Sequence, residues 1–229
     1  MGKHAVDGDV MRTGTVLSMF DYTGNWPRPY EEAGYNVIQL DKKLDVDIND
    51  LNYEWLIENV FEGFETVDII LAAPDCTHFA GSGAQYWKEK DADGRTEEAL
   101  ELVYQVLRTI DACMPQIWAL ENPVGRLPAL IPQLGKPWYF QPFWYGDPYT
   151  KKTGLWGNFN RDLPRNEVEP IRACSQGSWL MKLGGKSEKT KELRSETPVG
   201  FSRAFFMVNQ LREMDYDEYE WDTDKMRWS

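Results

Sequence analysis

The sequence predicts an α/β fold: a mostly parallel sheet with helices on both faces. Three observations carry that expectation. Short apolar, β-rich runs recur at Thr15–Phe20, Asn36–Leu40, Val67–Ala72 and Ile117–Leu120. Helix-patterned stretches separate them, and strand alternating with helix implies parallel strands joined by crossovers. The run Val67–Ala72 is apolar nearly throughout, as a strand buried on both faces must be.

The elements follow in order. Thr15–Phe20 opens into turn residues at Asp21, Thr23, Gly24 and Asn25. Pro29–Ala33 reads as a short helix stopped by Gly34. Asn36–Leu40 is the second strand, ending at Asp41. Leu51–Phe61 has the apolar spacing of a helix, and Val67–Ala72 is the third strand. In Thr96–Cys113, Leu100, Val103, Tyr104, Leu107 and Ile110 share one face, and Pro115 lies just beyond the end. Ile117–Leu120 is the fourth strand. Loops with short strands are expected to about Asn160, and residues 161–198 read as a loop-rich basic insert. Ser202–Asn209 closes the pattern as a helix packing Phe205, Phe206 and Val208 inward. The acidic, aromatic tail from Glu213 is expected to be partly mobile.

At 229 residues the chain suits one domain, 1–229. It has no run of about 18 apolar residues, so no membrane span is expected. Its polar start lacks the apolar core of a signal peptide, which predicts a cytoplasmic setting. Three widely spaced cysteines and two histidines predict neither a disulfide framework nor a metal site. Net charge is −12, yet residues 151–203 carry 11 basic and 6 acidic side chains. A basic segment inside an acidic protein predicts a local phosphate-contacting surface.

Ligands of parallel α/β sheets bind at the carboxyl ends of the strands. Four polar groups fall there: Phe20–Asn25, Asp41, Pro74-Asp75-Cys76, and Glu121-Asn122-Pro123. Asp41 could accept hydrogen bonds from ribose hydroxyls, or simply form a turn. The Gly24 loop allows close backbone approach to a ligand, and the absence of GxGxxG favours an adenosine ligand smaller than a dinucleotide. Cys76 sits in a loop just past a buried strand, where a thiol can reach a cleft as a nucleophile. The alternative is a buried, inert cysteine. Glu121 emerges from an apolar strand, where burial would make it a proton donor near neutral pH. The alternative is an ion pair with Arg126.

These residues resemble the DNA cytosine-C5 methyltransferases. Phe20–Gly24 is similar to the family's first motif. Pro74–Gly83 keeps the cysteine, Phe79 and Gly83 of its nucleophile loop, with Asp75 inserted between proline and cysteine. Glu121-Asn122-Pro123 stands for its Glu-Asn-Val motif, and Tyr145-Gly146-Asp147-Pro148 for its Tyr-Gly-x-Pro loop. The resemblance is greater to a compact, phage-associated branch, through Thr23–Tyr30, Cys76–Ala84, Glu121–Leu127, Tyr145–Gly157 and Gly184–Phe206. It implies a Rossmann-like, S-adenosylmethionine-dependent methyltransferase fold and DNA as the partner. It implies Cys76 and Glu121 as catalytic residues. It implies Phe20, Asp21, Thr23, Gly24, Asn25, Asp41, Pro74 and Arg203 around S-adenosylmethionine, with Arg203 beginning the last helix. Asn122, Lys151, Lys152, Lys186 and Arg194 would hold the substrate, and no metal is needed. Two departures stand out. The 38 residues 161–198 replace a large target-recognition domain. Thr153 stands where the family has a base-holding arginine. A free cytosine nucleotide, RNA, or a catalytically idle binding module remain alternatives.

Overall fold

In the computed structural model of the chain, the described residues are 13–51, 53–59, 66–174, 177–178 and 194–211. Strand β1 (Thr15–Met19) leads to helix α1 (Arg28–Glu32), then β2 (Asn36–Leu40) and α2 (Tyr53–Asn59). Strand β3 (Val67–Ala72) is followed by α3 (Trp87–Ala92) and α4 (Arg95–Cys113). Then come β4 (Ile117–Pro123), α5 (Leu127–Leu130), β5 (Trp138–Phe140) and β6 (Thr153–Asn158). Strands β7 (Arg172–Cys174) and β8 (Gly177–Ser178) pair with each other, and α6 spans Val199–Val208.

Six strands form one sheet in the order β2-β1-β3-β4-β6-β5. Strands β2, β1, β3 and β4 pair in parallel, and β6 runs antiparallel to both β4 and β5. The fold is thus the expected Rossmann-like α/β sheet with one reversed strand. From β1 the chain goes outward to β2 and then returns to β3 on the other side. The switch point of the sheet therefore lies between β1 and β3, where such sheets open a crevice at their carboxyl ends.

The period of two in each strand divides the core. Leu17 and Met19 of β1, with Ile70 and Ala72 of β3, meet Leu56 of α2 and Val103, Val106 and Ile110 of α4. Val16, Ile69 and Leu71 point to the opposite face, toward Tyr30 of α1 and Phe201 and Phe205 of α6. That second core is strongly aromatic. Phe140 and Phe201 stack with centroids 3.9 Å apart, and Trp26 meets Phe201 and Phe205. Both faces are buried, which is why β1 and β3 carry no outward polar stripe.

Two of the boundaries that differ from the sequence expectation bear on the site. Strand β4 continues through Glu121, Asn122 and Pro123 because β6 pairs with them, opposite Leu155, Gly154 and Thr153. Helix α6 begins at Val199, so Arg203 sits in its second turn and is exposed instead of starting it. The described part of 161–198 has little regular structure beyond the β7–β8 hairpin. Residues 179–193, with Lys182, Lys186, Lys189 and Lys191, and the tail from 212 lie outside the described residues.

Candidate active site

The loop after β1 is organised from within. Asp21 is buried, and its carboxylate accepts hydrogen bonds from the Thr23 hydroxyl at 2.9 Å, Gly24 N at 3.0 Å and Trp26 N at 3.1 Å. Its side chain therefore shapes the turn, and Phe20, Thr23, Gly24 and Asn25 form the rim. Phe20 takes a φ of 61° and Gly24 a φ of 64°. A Cβ on Gly24 would meet Gln39 Nε2 at 2.8 Å, so this close left-handed turn favours glycine. Gln39 Nε2 in turn donates to the Asp21 carbonyl at 2.9 Å. At the end of β2, Asp41 Oδ1 accepts from Lys43 N at 2.8 Å. Asp41 thus forms the turn and also stands at the strand end, where both sequence readings put it.

The loop after β3 is pinned to the segment after β4. Phe79 N and Ala80 N donate to the Cys76 carbonyl, so a turn starts at the cysteine. Gly81 N donates to the Val124 carbonyl and Arg126 N to the Phe79 carbonyl, with Ala80 bridging Gly125. Arg126 donates to Asp91 at 2.8 Å, to Thr96 at 2.9 Å and to the His78 carbonyl at 3.1 Å, and its guanidinium covers the Trp87 ring. This arginine serves Asp91, and the cation nearest Glu121 is Lys151. No short-range pattern links residues 35 positions apart such as Asp91 and Arg126, and only the fold reveals the pair. A Cβ on Gly125 would lie 1.9 Å from the Phe79 carbonyl oxygen. Gly125→Ala is therefore expected to destabilise the protein by about 3 kcal/mol, as overpacking against fixed backbone does. Urea melts of the variant and wild type check this.

Glu121 is 4% exposed and Asn122 is fully buried. Asn122 Nδ2 donates to the Pro74 carbonyl at 3.1 Å, tying the end of β4 to the cysteine loop. Asn122 Oδ1 and Glu121 Oε1 are buried acceptors without a hydrogen-bond partner. Lys151 Nζ lies 3.9 Å from Glu121 Oε1 and donates to the Glu196 carbonyl at 3.4 Å. The Thr153 hydroxyl, beside Glu121, donates to the Lys151 carbonyl at 3.0 Å. Lys152 is exposed, with its ammonium 4.6 Å from the centre of the Tyr139 ring. Arg194 is exposed, and its charge acts on Cys76.

Electrostatics in this corner follow from burial. Burial pushes the Cys76 thiol up to about 11, with Lys151 and Arg194 pulling down and Asp75 and Glu121 adding to the rise. Burial also raises Glu121, opposed by Lys151 and the Thr153 hydroxyl, with Asp21 adding to the rise. Tyr149 is raised by burial and by the charges of Asp147, Glu196 and Glu121. Sequence reasoning gave Tyr149 and Glu196 no role. Neither type at these positions carries a signal until β6 folds back beside β4.

Two cavities lie away from this corner. One of about 280 Å³ sits at the opposite end of β4, between Gln116, Asn158 and Asn209. The other, of about 410 Å³, lies between Tyr145–Asp147, Arg165 and α6, and includes Arg203. Among the described residues no group of three or more His, Cys, Asp or Glu could hold a metal ion. No helix among them is long and apolar enough to cross a membrane.

No family model matches the chain, and no curated protein matches it. Among solved structures, the chain is similar to one described as a candidate DNA modification methyltransferase encoded within an E. coli prophage. Identity is 16% and the TM-score 0.45, over 69% of this chain and 53% of that one. The chain thus spans about half the length of that protein.

Proposed function

We propose that this protein transfers a methyl group from S-adenosylmethionine to C5 of cytosine in DNA. The observation that carries the reading is the placing of Cys76 and Glu121 on one edge of the sheet, with Asn122 tying the cysteine loop to the end of β4. They stand at the carboxyl ends of adjacent parallel strands, beside the switch point of the sheet, with a lysine against the carboxyl group. The orphaned acceptors Glu121 Oε1 and Asn122 Oδ1 suit the N–H donors of a pyrimidine edge.

Phe20, Thr23, Gly24, Asn25, Asp41 and Pro74 would hold the cofactor, with Asp21 keeping their turn in shape. They fit it: an aromatic side chain, a left-handed glycine turn and a strand-end carboxylate stand at the carboxyl ends of the neighbouring strands β1 and β2. Bound there, S-adenosylmethionine supplies an electrophilic methyl group.

The other steps belong to the protein. The Cys76 thiolate forms a bond to C6 of the cytosine ring. The displaced electron pair moves toward N3, where the Glu121 carboxyl group delivers its proton. C5 thereby becomes nucleophilic and takes the methyl group. A water then removes the C5 proton, and the bond between C6 and sulfur breaks. The electron pair returns to sulfur and the N3 proton to Glu121. A duplex must release the base from its stack first, at about a few kcal/mol. Lys186 and Arg194 of the basic segment 151–203 would meet phosphates, and Lys151 or Lys152 would stand in for the base-holding arginine missing at Thr153.

The test is the product. Duplex DNA, RNA and a free cytosine nucleotide are each incubated with the protein and methyl-labelled cofactor, then digested and resolved by mass spectrometry. 5-Methylcytosine from DNA is expected. N4-methylcytosine or N6-methyladenine would overturn the chemistry, and label only in the nucleotide or RNA would move the substrate.

A further inference from the structure

Three ionisable groups gather at the site: Glu121 in β4, Lys151 before β6, and the half-buried Cys76 in the loop after β3, which Asn122 ties to the end of β4 through the Pro74 carbonyl at 3.1 Å. Lys151 and Glu121 have side chains only 11% and 6% exposed, at 3.9 Å, and Lys151 also donates to the Glu196 carbonyl. Glu121 Oε1 has no hydrogen-bond partner, which leaves Lys151 and the Thr153 hydroxyl to favour a charge on this carboxyl group. One ammonium beside the buried Glu121 can balance one anion. A second anion would stand there uncompensated, and buried charges of that kind are costly.

We infer that Cys76 and Glu121 share a single negative charge, and that Lys151 is the positioning residue that carries its counter-charge. Other charged groups bear on the pair without changing this count. Asp75 opposes and Arg194 favours the thiolate from the exposed side. Asp21 opposes a charge on Glu121, while Tyr149 and the Thr153 hydroxyl stand beside it. Burial pushes both members toward their neutral forms, and Lys151 is the foremost charge opposing that push on each. Glu121 in turn opposes ionisation of Cys76.

This coupling gives the pair its working form. The S–H bond of Cys76 breaks, its electron pair stays on sulfur, and the proton ends on the Glu121 carboxylate. Nucleophile and acid are then ready together, and the corner keeps its net charge. The catalytic meaning rests on the cytosine chemistry proposed above, but the charge sharing does not.

Alkylation of the full-length protein by iodoacetamide, without cofactor or nucleic acid, reads the thiolate directly. The Cys76 peptide is quantified by mass spectrometry across pH 7–10. Cys113, whose thiol is raised by burial alone, serves as internal reference. Glu121→Gln is expected to speed Cys76 alkylation at pH 8 about tenfold, the effect of lowering a thiol by about one pKa unit. Lys151→Met is expected to slow it about tenfold, and Lys151→Arg to restore it to within about twofold. Cys113 should not respond to any of them. An unchanged or slower rate in Glu121→Gln, or an unchanged rate in Lys151→Met, overturns the inference. If Lys151→Met does not fold, Glu121→Gln decides by the same criterion. A protein that shows this alkylation pattern but makes no 5-methylcytosine would sink the methylation reading alone.

Discussion

Replacing Cys76 by alanine is expected to lower methyl transfer by about 10³-fold or more, because the ring then has no nucleophile to activate it. Cofactor affinity should stay within a few-fold, since the Phe20–Asn25 turn is built by Asp21 and Gln39, without Cys76. The fold should also persist. The loop around position 76 is held by backbone bonds from Phe79 and Ala80, by Asn122 and by the Gly125 bridge, none of which uses the sulfur. Single-turnover assays with labelled cofactor, beside equilibrium binding of the cofactor, separate the two effects. A trapped adduct sharpens the result. DNA containing 5-fluorocytosine should bond covalently to the wild type and not to the alanine variant, because fluorine at C5 cannot leave as the proton does. Undiminished turnover in Cys76→Ala would remove the covalent mechanism.

Glu121→Gln is expected to reduce kcat by about 10²–10⁴-fold, the usual contribution of a positioned acid. Glutamine keeps the shape of the side chain, so the pairing of β4 with β6 should survive. What it cannot do is give up a proton at N3. Burial raises Glu121 above the ordinary carboxylate range, and that favours the acid form the reaction needs. If Cys76 alkylates faster in this variant while turnover falls, the loss lies in proton delivery and not in the nucleophile. Wild-type turnover in Glu121→Gln would mean that another group activates N3.

The parts of the site that were legible in the sequence are those defined by local pattern. Asn36–Leu40 and Val67–Ala72 are readable to the residue, because short β-rich runs ending before turn residues or proline leave little choice of boundary. Their carboxyl ends then put Phe20–Asn25, Asp41, Cys76 and Glu121 on one edge. The Asp21 side chain was readable as important but not in its role. A carboxylate beside Thr23 and Gly24 looks equally apt to bind a ligand or to hold its own turn, and the hydrogen bonds to Gly24 and Trp26 assign it to the turn. Lys151 and Lys152 read alike in the sequence as substrate residues, and the fold separates them, with Lys152 over the Tyr139 ring and Lys151 against Glu121.

The sequence by itself determined the parallel core, the strand ends and the residue types that gather there, because periodicity and turn chemistry act over a few residues. Only the tertiary structure decided which of those residues meet. The reversal of β6 beside β4 brings Lys151 and Thr153 to Glu121, and the Gly125 bridge and Arg126–Asp91 pair fasten the cysteine loop. Such contacts depend on pairing between distant segments and on the low dielectric that burial creates. Neither is written in any local stretch of the chain.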